Sequence, residues 1–360
     1  MAASSTIPDL LKQRIAAQGP LSVAEFMRVA LSEPGHGYYA TRDPLGAAGD
    51  FVTAPEISQL FGEMLGLWCV DVWEKLGRPE PFLLAELGPG RGTLMADVLR
   101  AARVRPEFLR AARLHLVEIS APLRQLQGQA LATFHPTWHD RIEDLPAGPL
   151  LLLANEFLDA LPVHQFARST EGWQERAVTT DSDALAWTLM PPSQHIDLLR
   201  AEHRRAKPGD IAEVSPACRG VAEVLGQRFA QERGAALFID YGPGKSGLGE
   251  SLQALRGHKP ADPLRAAGSA DLTAHVDFAA CADAARAAGA QAFGPVEQGT
   301  FLRILGIELR ASMLAEKAND ADRAAIAAAL HRLIAPAQMG SLFKALALAA
   351  PHVTELAGFA

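Results

Sequence analysis

Tyrosine is scarce in this chain of 360 residues: Tyr38, Tyr39 and Tyr241 are the only three, and aromatic residues together make up 6%. Each tyrosine falls in a glycine-bearing stretch. The three cysteines, Cys69, Cys218 and Cys281, lie far apart and form no CxxC. That spacing supports neither a disulfide framework nor a zinc site, so buried free thiols are expected. Long apolar runs are also missing. Runs such as PLLLLA at 149–154 are far short of the ~18 residues of a membrane-spanning helix, so no membrane insertion is expected. There is no basic run either, and 34 Lys+Arg against 41 Asp+Glu give a formal charge of -7. Counterion release then has no obvious source, which argues against a nucleic-acid partner. Histidines such as His36, His258 and His275 lack metal-ligand spacing, so no metal is expected. The first residues carry no apolar signal core, Asp9 interrupts them, and Lys12 and Arg14 alone make a poor transit peptide; a cytoplasmic location is the expectation.

What is present is apolar material, 49% of the chain, enough to exclude intrinsic disorder and to fill one large α/β domain or two smaller ones. Four zones emerge. Residues 1–80 read as a helical extension broken by a glycine-rich loop after Pro34. Leu21, Ala24, Met27, Val29, Ala30 and Leu31 form an apolar face before that break. An amphipathic helix over 59–76 then buries Leu60, Met64, Leu67, Trp68, Asp71 and Trp73. Residues 81–162 alternate short apolar runs (82–87, 114–118, 150–154) with helical patterns (93–103, 121–131), the signature of parallel βαβ units. A shorter third strand is expected near 133–138. Residues 163–215 form an inserted region whose strands at 163–168, 174–179 and 184–190 are split by turn signals, as in an antiparallel meander. Residues 216–360 return to the core with a strand at 235–240, a long glycine- and proline-rich loop over 242–270, and an alanine-rich helical end with a plain tail.

The most informative segment runs from Phe82 through Glu86 and Gly88-Pro89-Gly90-Arg91-Gly92 to Thr93. It reads as a buried strand, a glycine turn and a helix start. Glycine admits close backbone approach and positive φ, and the helix N-terminus offers unpaired amides. A nicotinamide fingerprint needs GxGxxG, but here Thr93 stands where its third glycine belongs. Glu86 would also repel a diphosphate and attract an ammonium. Glu118, 26 residues beyond Gly92, closes the second strand where a carboxylate can accept both hydroxyls of a ribose. This set of acids fits S-adenosylmethionine better than a dinucleotide, which weakens an oxidoreductase reading.

Longer strings then carry a family resemblance. Gly49-Asp50-Phe51-Val52-Thr53-Ala54-Pro55-Glu56-Ile57-Ser58-Gln59 resembles the GDF-(V/I)-T-x-PEISQ signature of the MidA-like family of class I S-adenosylmethionine-dependent methyltransferases. Alanine stands at position 54 where serine is commoner. The resemblance continues through Pro34–Tyr39 (PGHGYY), the ELGPGRG loop, 154–162 (ANEFLDALP), 240–242 (DYG) and 271–278 (DLTAHVDF), and so covers roughly 20–310. It implies an α/β, Rossmann-like class I methyltransferase fold with an N-terminal helical extension and inserted antiparallel strands. By the resemblance, Glu86, Gly88, Gly90 and Gly92 line the methionine end of the cofactor and Glu118 holds the ribose. The family includes a mitochondrial arginine methyltransferase that assists respiratory complex I assembly. The resemblance thus implies a protein substrate, such as a respiratory complex I-type subunit, methylated on arginine. A non-catalytic assembly factor that binds the cofactor and partner subunits is the alternative.

Arginine stays protonated at neutral pH, so an enzyme acting on it must orient the guanidinium and receive a proton. Carboxylates suit both tasks. Asn155 and Glu156 follow the buried 150–154 run, at a strand end that faces the ligand crevice of such sheets. If the chain turns helical there, Glu156 and Asp159 share one face. The expectation is that Glu156, with Asp159 or Asp50, grips the acceptor, and that Asn155 and Pro89 border the cofactor. Asp50, Thr53 and Gln59 are candidates for a lid, packed by Tyr38 and Tyr39; Glu56 and Gln59 read equally well as caps of the helix from Ile57. Trp138 and Asp140 lie where adenine is expected, and Tyr241 ends a strand near the crevice.

Overall fold

The computed structural model describes residues 6–41 and 53–359. They form two compact units, one gathering Val52–Phe157, Val221–Gly244 and Phe278–Ala360, the other Met1–Phe51, Leu158–Gly220 and Lys245–Asp277. The sequence blocks 1–80 and 216–360 are each shared between the two units.

The larger unit is built on a seven-stranded sheet. Its strands are β1 (Phe82–Leu87), β2 (Ala112–Val117), β3 (Thr137–His139), β4 (Leu150–Asn155), β5 (Gly234–Tyr241), β6 (Gln291–Glu297) and β7 (Phe343–Ala349). The spatial order is β3-β2-β1-β4-β5-β7-β6. Strands β1 to β5 pair in parallel, and β7 runs antiparallel between β5 and β6. All six residues of β1 are buried, as are the first five of β4, which is why both read as unbroken apolar runs. The order reverses between β1 and β4, so their carboxyl ends flank the topological switch point where ligands bind in doubly wound sheets.

Two helices flank β1 along the chain. Helix α1 (Gln59–Lys75) starts at Ser58, whose Oγ accepts from the Leu60 amide at 3.2 Å; Ser58 is therefore the cap, rather than Glu56 or Gln59. The helix is buried on more than one face: of the residues expected inside, Leu60, Met64, Trp68 and Trp73 are buried, whereas Leu67 is 40% exposed and the Asp71 side chain 43%. Helix α2 (Thr93–Ala101) packs so closely on it that a Cβ at Gly62 would lie 2.5 Å from the Asp97 Cβ. A third helix, α3 (Ala121–Ala130), follows β2.

The alanine-rich end is not wholly helical. It contributes β6 and β7, because the 343–349 run (FKALALA) fills the slot between β5 and β6 and satisfies its backbone groups there. The third strand also begins later than expected, at Thr137.

In the smaller unit, His164–Arg168, Trp173–Asp181 and Ala184–Met190 form the expected antiparallel meander. Ile211–Val214 and the short strand Leu21–Ser22 complete its sheet. The 242–270 stretch is not a plain loop: Gln253–Arg256 and Lys259–Ala261 pair, and Asp271–Thr273 joins them in a three-stranded sheet. A single hydrophobic cluster, including Leu11, Phe26, Met27, Val178, Ala254 and Leu272, ties the three sequence segments of this unit together. Leu21, Met27, Val29, Ala30 and Leu31 of the predicted apolar face belong to it, and Ala24 is buried beside them in sequence.

Candidate active site

At the carboxyl end of β1 the chain passes from Glu86 into a turn where Gly88, Gly90 and Gly92 all adopt positive φ, at 58°, 55° and 84°. Glycine takes these values without the Cβ penalty other residues carry. Gly88 has a second constraint: a Cβ there would lie 2.8 Å from the Phe157 ring. Gly92 then starts α2. The Thr93 hydroxyl beside it donates to Glu56 Oε1 at 2.6 Å. Glu56 thus clasps the start of α2 instead of capping its own helix.

Glu86 is 3% exposed, and its Oε2 has no hydrogen-bond partner among the described residues. Burial, with a smaller contribution from the charge of Glu118, raises its pKa from 4.5 to about 8. The carboxyl is therefore mainly protonated at neutral pH until a cation arrives to favour the charged form. The same burial, aided by Glu86, holds the nearby Cys69 thiol in its neutral form.

Glu118, one residue past β2, has a different environment. Its Oε1 accepts from the Ser120 amide at 2.7 Å and its Oε2 from Gln127 Nε2 at 3.3 Å. Burial still raises its pKa, but these bonds act in the opposite direction. Arg124 frames the same corner, donating to the Glu118 carbonyl at 2.7 Å and pairing with Asp140 at 2.6 Å. Asp140 keeps most of its side chain in solvent, 75% exposed.

Glu156 follows β4 with φ 50°, a left-handed conformation that is uncommon for a non-glycine residue and clusters at functional sites. Its Oε1 accepts from the Ala54 amide at 2.9 Å and from Asn155 Nδ2 at 3.1 Å. Burial pushes its pKa up against these two bonds. The Asn155 Oδ1 is buried with no partner among the described residues. The next amide, Phe157, donates to Asp240 Oδ2 at 3.1 Å at the end of β5. Asp240, 1% exposed, belongs to this corner but was not singled out from the sequence.

The larger unit therefore brings together Glu86, Gly88, Pro89, Gly90, Gly92, Glu118, Asn155 and Glu156 at neighbouring strand ends, with Thr53 one residue before Ala54. The helical face expected for Glu156 and Asp159 does not form, because residues 156–159 make bends and a turn. Asp159 belongs to the other unit, as do Tyr38 and Tyr39. There the Tyr39 hydroxyl donates to Asp271 at 2.8 Å, the charge of Asp159 acts on it, and its ring meets Tyr38 edge-on. Asp50 lies outside the described residues. Tyr241 packs on Phe343, ring centroids 5.5 Å apart.

A family model described as "Putative S-adenosyl-L-methionine-dependent methyltransferase" matches residues 64–296. The chain is 38% identical over 371 residues to the Mus musculus protein named "Protein arginine methyltransferase NDUFAF7, mitochondrial", covering 95% of this chain and 84% of that protein. The Homo sapiens protein of the same name is 37% identical, with 95% and 82% covered. A solved structure from Burkholderia thailandensis, bound to S-adenosyl-homocysteine, superposes with a TM-score of 0.84 at 29% identity, over 98% of this chain and 94% of that one. This chain belongs to the MidA-like family of S-adenosylmethionine-dependent methyltransferases.

Proposed function

We propose that this methyltransferase acts on an arginine side chain of a protein partner and that Glu156 receives the guanidinium. The curated relatives are named protein arginine methyltransferases, which supports that acceptor. A respiratory complex I-type subunit as partner, and a cytoplasmic site of action, belong to the same proposal, although the relatives are named mitochondrial. No helix among the described residues is long and apolar enough to cross a membrane.

The residues at the strand ends fit the cofactor. The orphaned Glu86 Oε2 offers an acceptor to an ammonium, and the left-handed glycine turn with Pro89 admits close backbone approach. Glu118 keeps lone pairs free for two ribose hydroxyls. Asp140 is proposed for the adenine end, and Asn155 and Thr53 for the border of the cofactor. When bound, S-adenosylmethionine supplies a methyl group on a positively charged sulfonium.

The observation that carries the acceptor assignment is the fixing of Glu156 by one carboxylate oxygen, on a strained backbone, at the switch-point end of β4. With Oε1 held by Ala54 and Asn155, Oε2 is the oxygen offered to a guanidinium. It binds the cation, orients one nitrogen, and takes the proton that this nitrogen loses. A carboxylate whose pKa is raised by burial is the stronger base for that task. Asp159 is proposed as a second carboxylate on the strength of the sequence alone.

Glu156→Gln keeps the size and the contact to Ala54 but not the charge. Methyl incorporation into a lysate acceptor should fall by about two orders of magnitude or more, while S-adenosyl-homocysteine affinity stays within about threefold. Unchanged turnover would remove Glu156 from this role. A collapse in cofactor affinity would reassign it to the cofactor. No incorporation by the wild-type protein would favour the assembly-factor reading.

A further inference from the structure

Gln127 is fully buried on α3, and its amide touches three parts of the cofactor corner. Nε2 donates to the Gly90 carbonyl at 2.7 Å and to Glu118 Oε2 at 3.3 Å, while Oε1 accepts from the indole Nε1 of Trp138 at 2.8 Å. An amide has one donor end and one acceptor end, and an indole N–H can only donate. Trp138 therefore dictates which way the amide faces. The reverse orientation would aim Oε1 at two acceptors, the Gly90 carbonyl and the Glu118 carboxylate, and Nε2 at the indole N–H.

We propose that Gln127 is a positioning residue, oriented by Trp138, that locks the glycine turn and Glu118 into one cradle for the ribose end of the cofactor. The inference rests on the reading of Glu118 as the ribose-binding acid. Holding the Gly90 carbonyl fixes the plane of the peptide that follows it, inside a turn of three left-handed glycines. Holding Glu118 Oε2, while the Ser120 amide holds Oε1, sets the direction of the lone pairs left for two hydroxyls. The same bond favours the charged form of Glu118 against its burial. Trp138 thereby acts through Gln127 rather than by contact with ligand.

The test measures S-adenosyl-homocysteine binding to the full chain by calorimetry, alongside its 2′-deoxyribose analogue. The proteins are the wild type, Gln127→Leu, Trp138→Phe and the double variant, with melting temperatures to confirm folding. The wild type should prefer the ribose ligand clearly. Gln127→Leu should weaken that ligand about tenfold, as expected for loss of a bond to a charged group, and should narrow its advantage over the deoxy analogue. The loss should grow as pH falls, because Glu118 then protonates more readily. Trp138→Phe should weaken binding less, and the double variant should bind like Gln127→Leu alone. Equal affinity of wild type and Gln127→Leu, or an undiminished ribose preference, would overturn the inference. Additive losses in the double variant would show that Trp138 acts independently and overturn the relay. If Gln127→Leu fails to fold, unchanged affinity and ribose preference in Trp138→Phe would serve the same purpose. A wild type that binds but shows no ribose preference would instead refute the reading of Glu118.

Discussion

Glu86 and Glu118 close adjacent strands of one sheet, yet they are prepared in opposite ways. Glu86 has a buried oxygen with no partner and a pKa near 8. Glu118 has a donor on each oxygen before any ligand arrives. The difference matches the charges each is proposed to meet. A ribose is neutral and brings no charge of its own, so Glu118 must be aimed beforehand if it is to accept hydrogen bonds from two hydroxyls. An ammonium brings its own charge, so Glu86 can remain protonated in a dry site and ionise when the cation enters.

Removing the prearranged acid should have the larger effect on affinity. Glu118→Ala deletes two charge-assisted bonds to hydroxyls, and S-adenosyl-homocysteine binding should weaken by about 100-fold or more. Calorimetry checks this, and a loss below about threefold would end the distinction drawn between the acids. Glu86→Gln should show the contrast through stability. A group whose folded pKa is raised gives stability below its unfolded value and loses it as pH rises toward the folded value. The wild type should therefore lose stability relative to Glu86→Gln between pH 4.5 and about 8. At pH 7 the variant should be favoured by on the order of 3 kcal/mol if its amide is accommodated. Parallel denaturant titrations across that range measure the gap, and a gap independent of pH would show that Glu86 is not held neutral.

Much of this corner was legible in the sequence because the same residues obey local and global rules together. The 82–87 and 150–154 runs are apolar on both faces and became β1 and β4. The glycine spacing sets positive φ at three places. Other parts were hidden by composition. The 343–349 run (FKALALA) looks helical by its alanines, but strands on both sides decide its conformation. Nothing in ANEFLDALP marks Glu156 as left-handed, so the three-residue spacing to Asp159 suggested a helix that the backbone does not make. Gln127 was missed although a signal existed. Leu123, Gln127 and Leu131 recur at intervals of four, and all three are buried. A polar residue in that row must find partners inside, and here they are the glycine turn, Glu118 and Trp138.

Proton release on cofactor binding tests the central claim, that Glu86 waits neutral and ionises when the cation of the cofactor enters. S-adenosylmethionine binding should be measured at pH 7 in buffers of different ionisation enthalpy, for the wild type and for Glu86→Gln. The difference between the two proteins cancels protons exchanged by the ligand itself. The account predicts that the wild type releases close to one proton more than the variant, and that its affinity relative to the variant rises with pH up to about 8 and then levels off. Equal proton exchange in the two proteins, with parallel pH profiles, would contradict it.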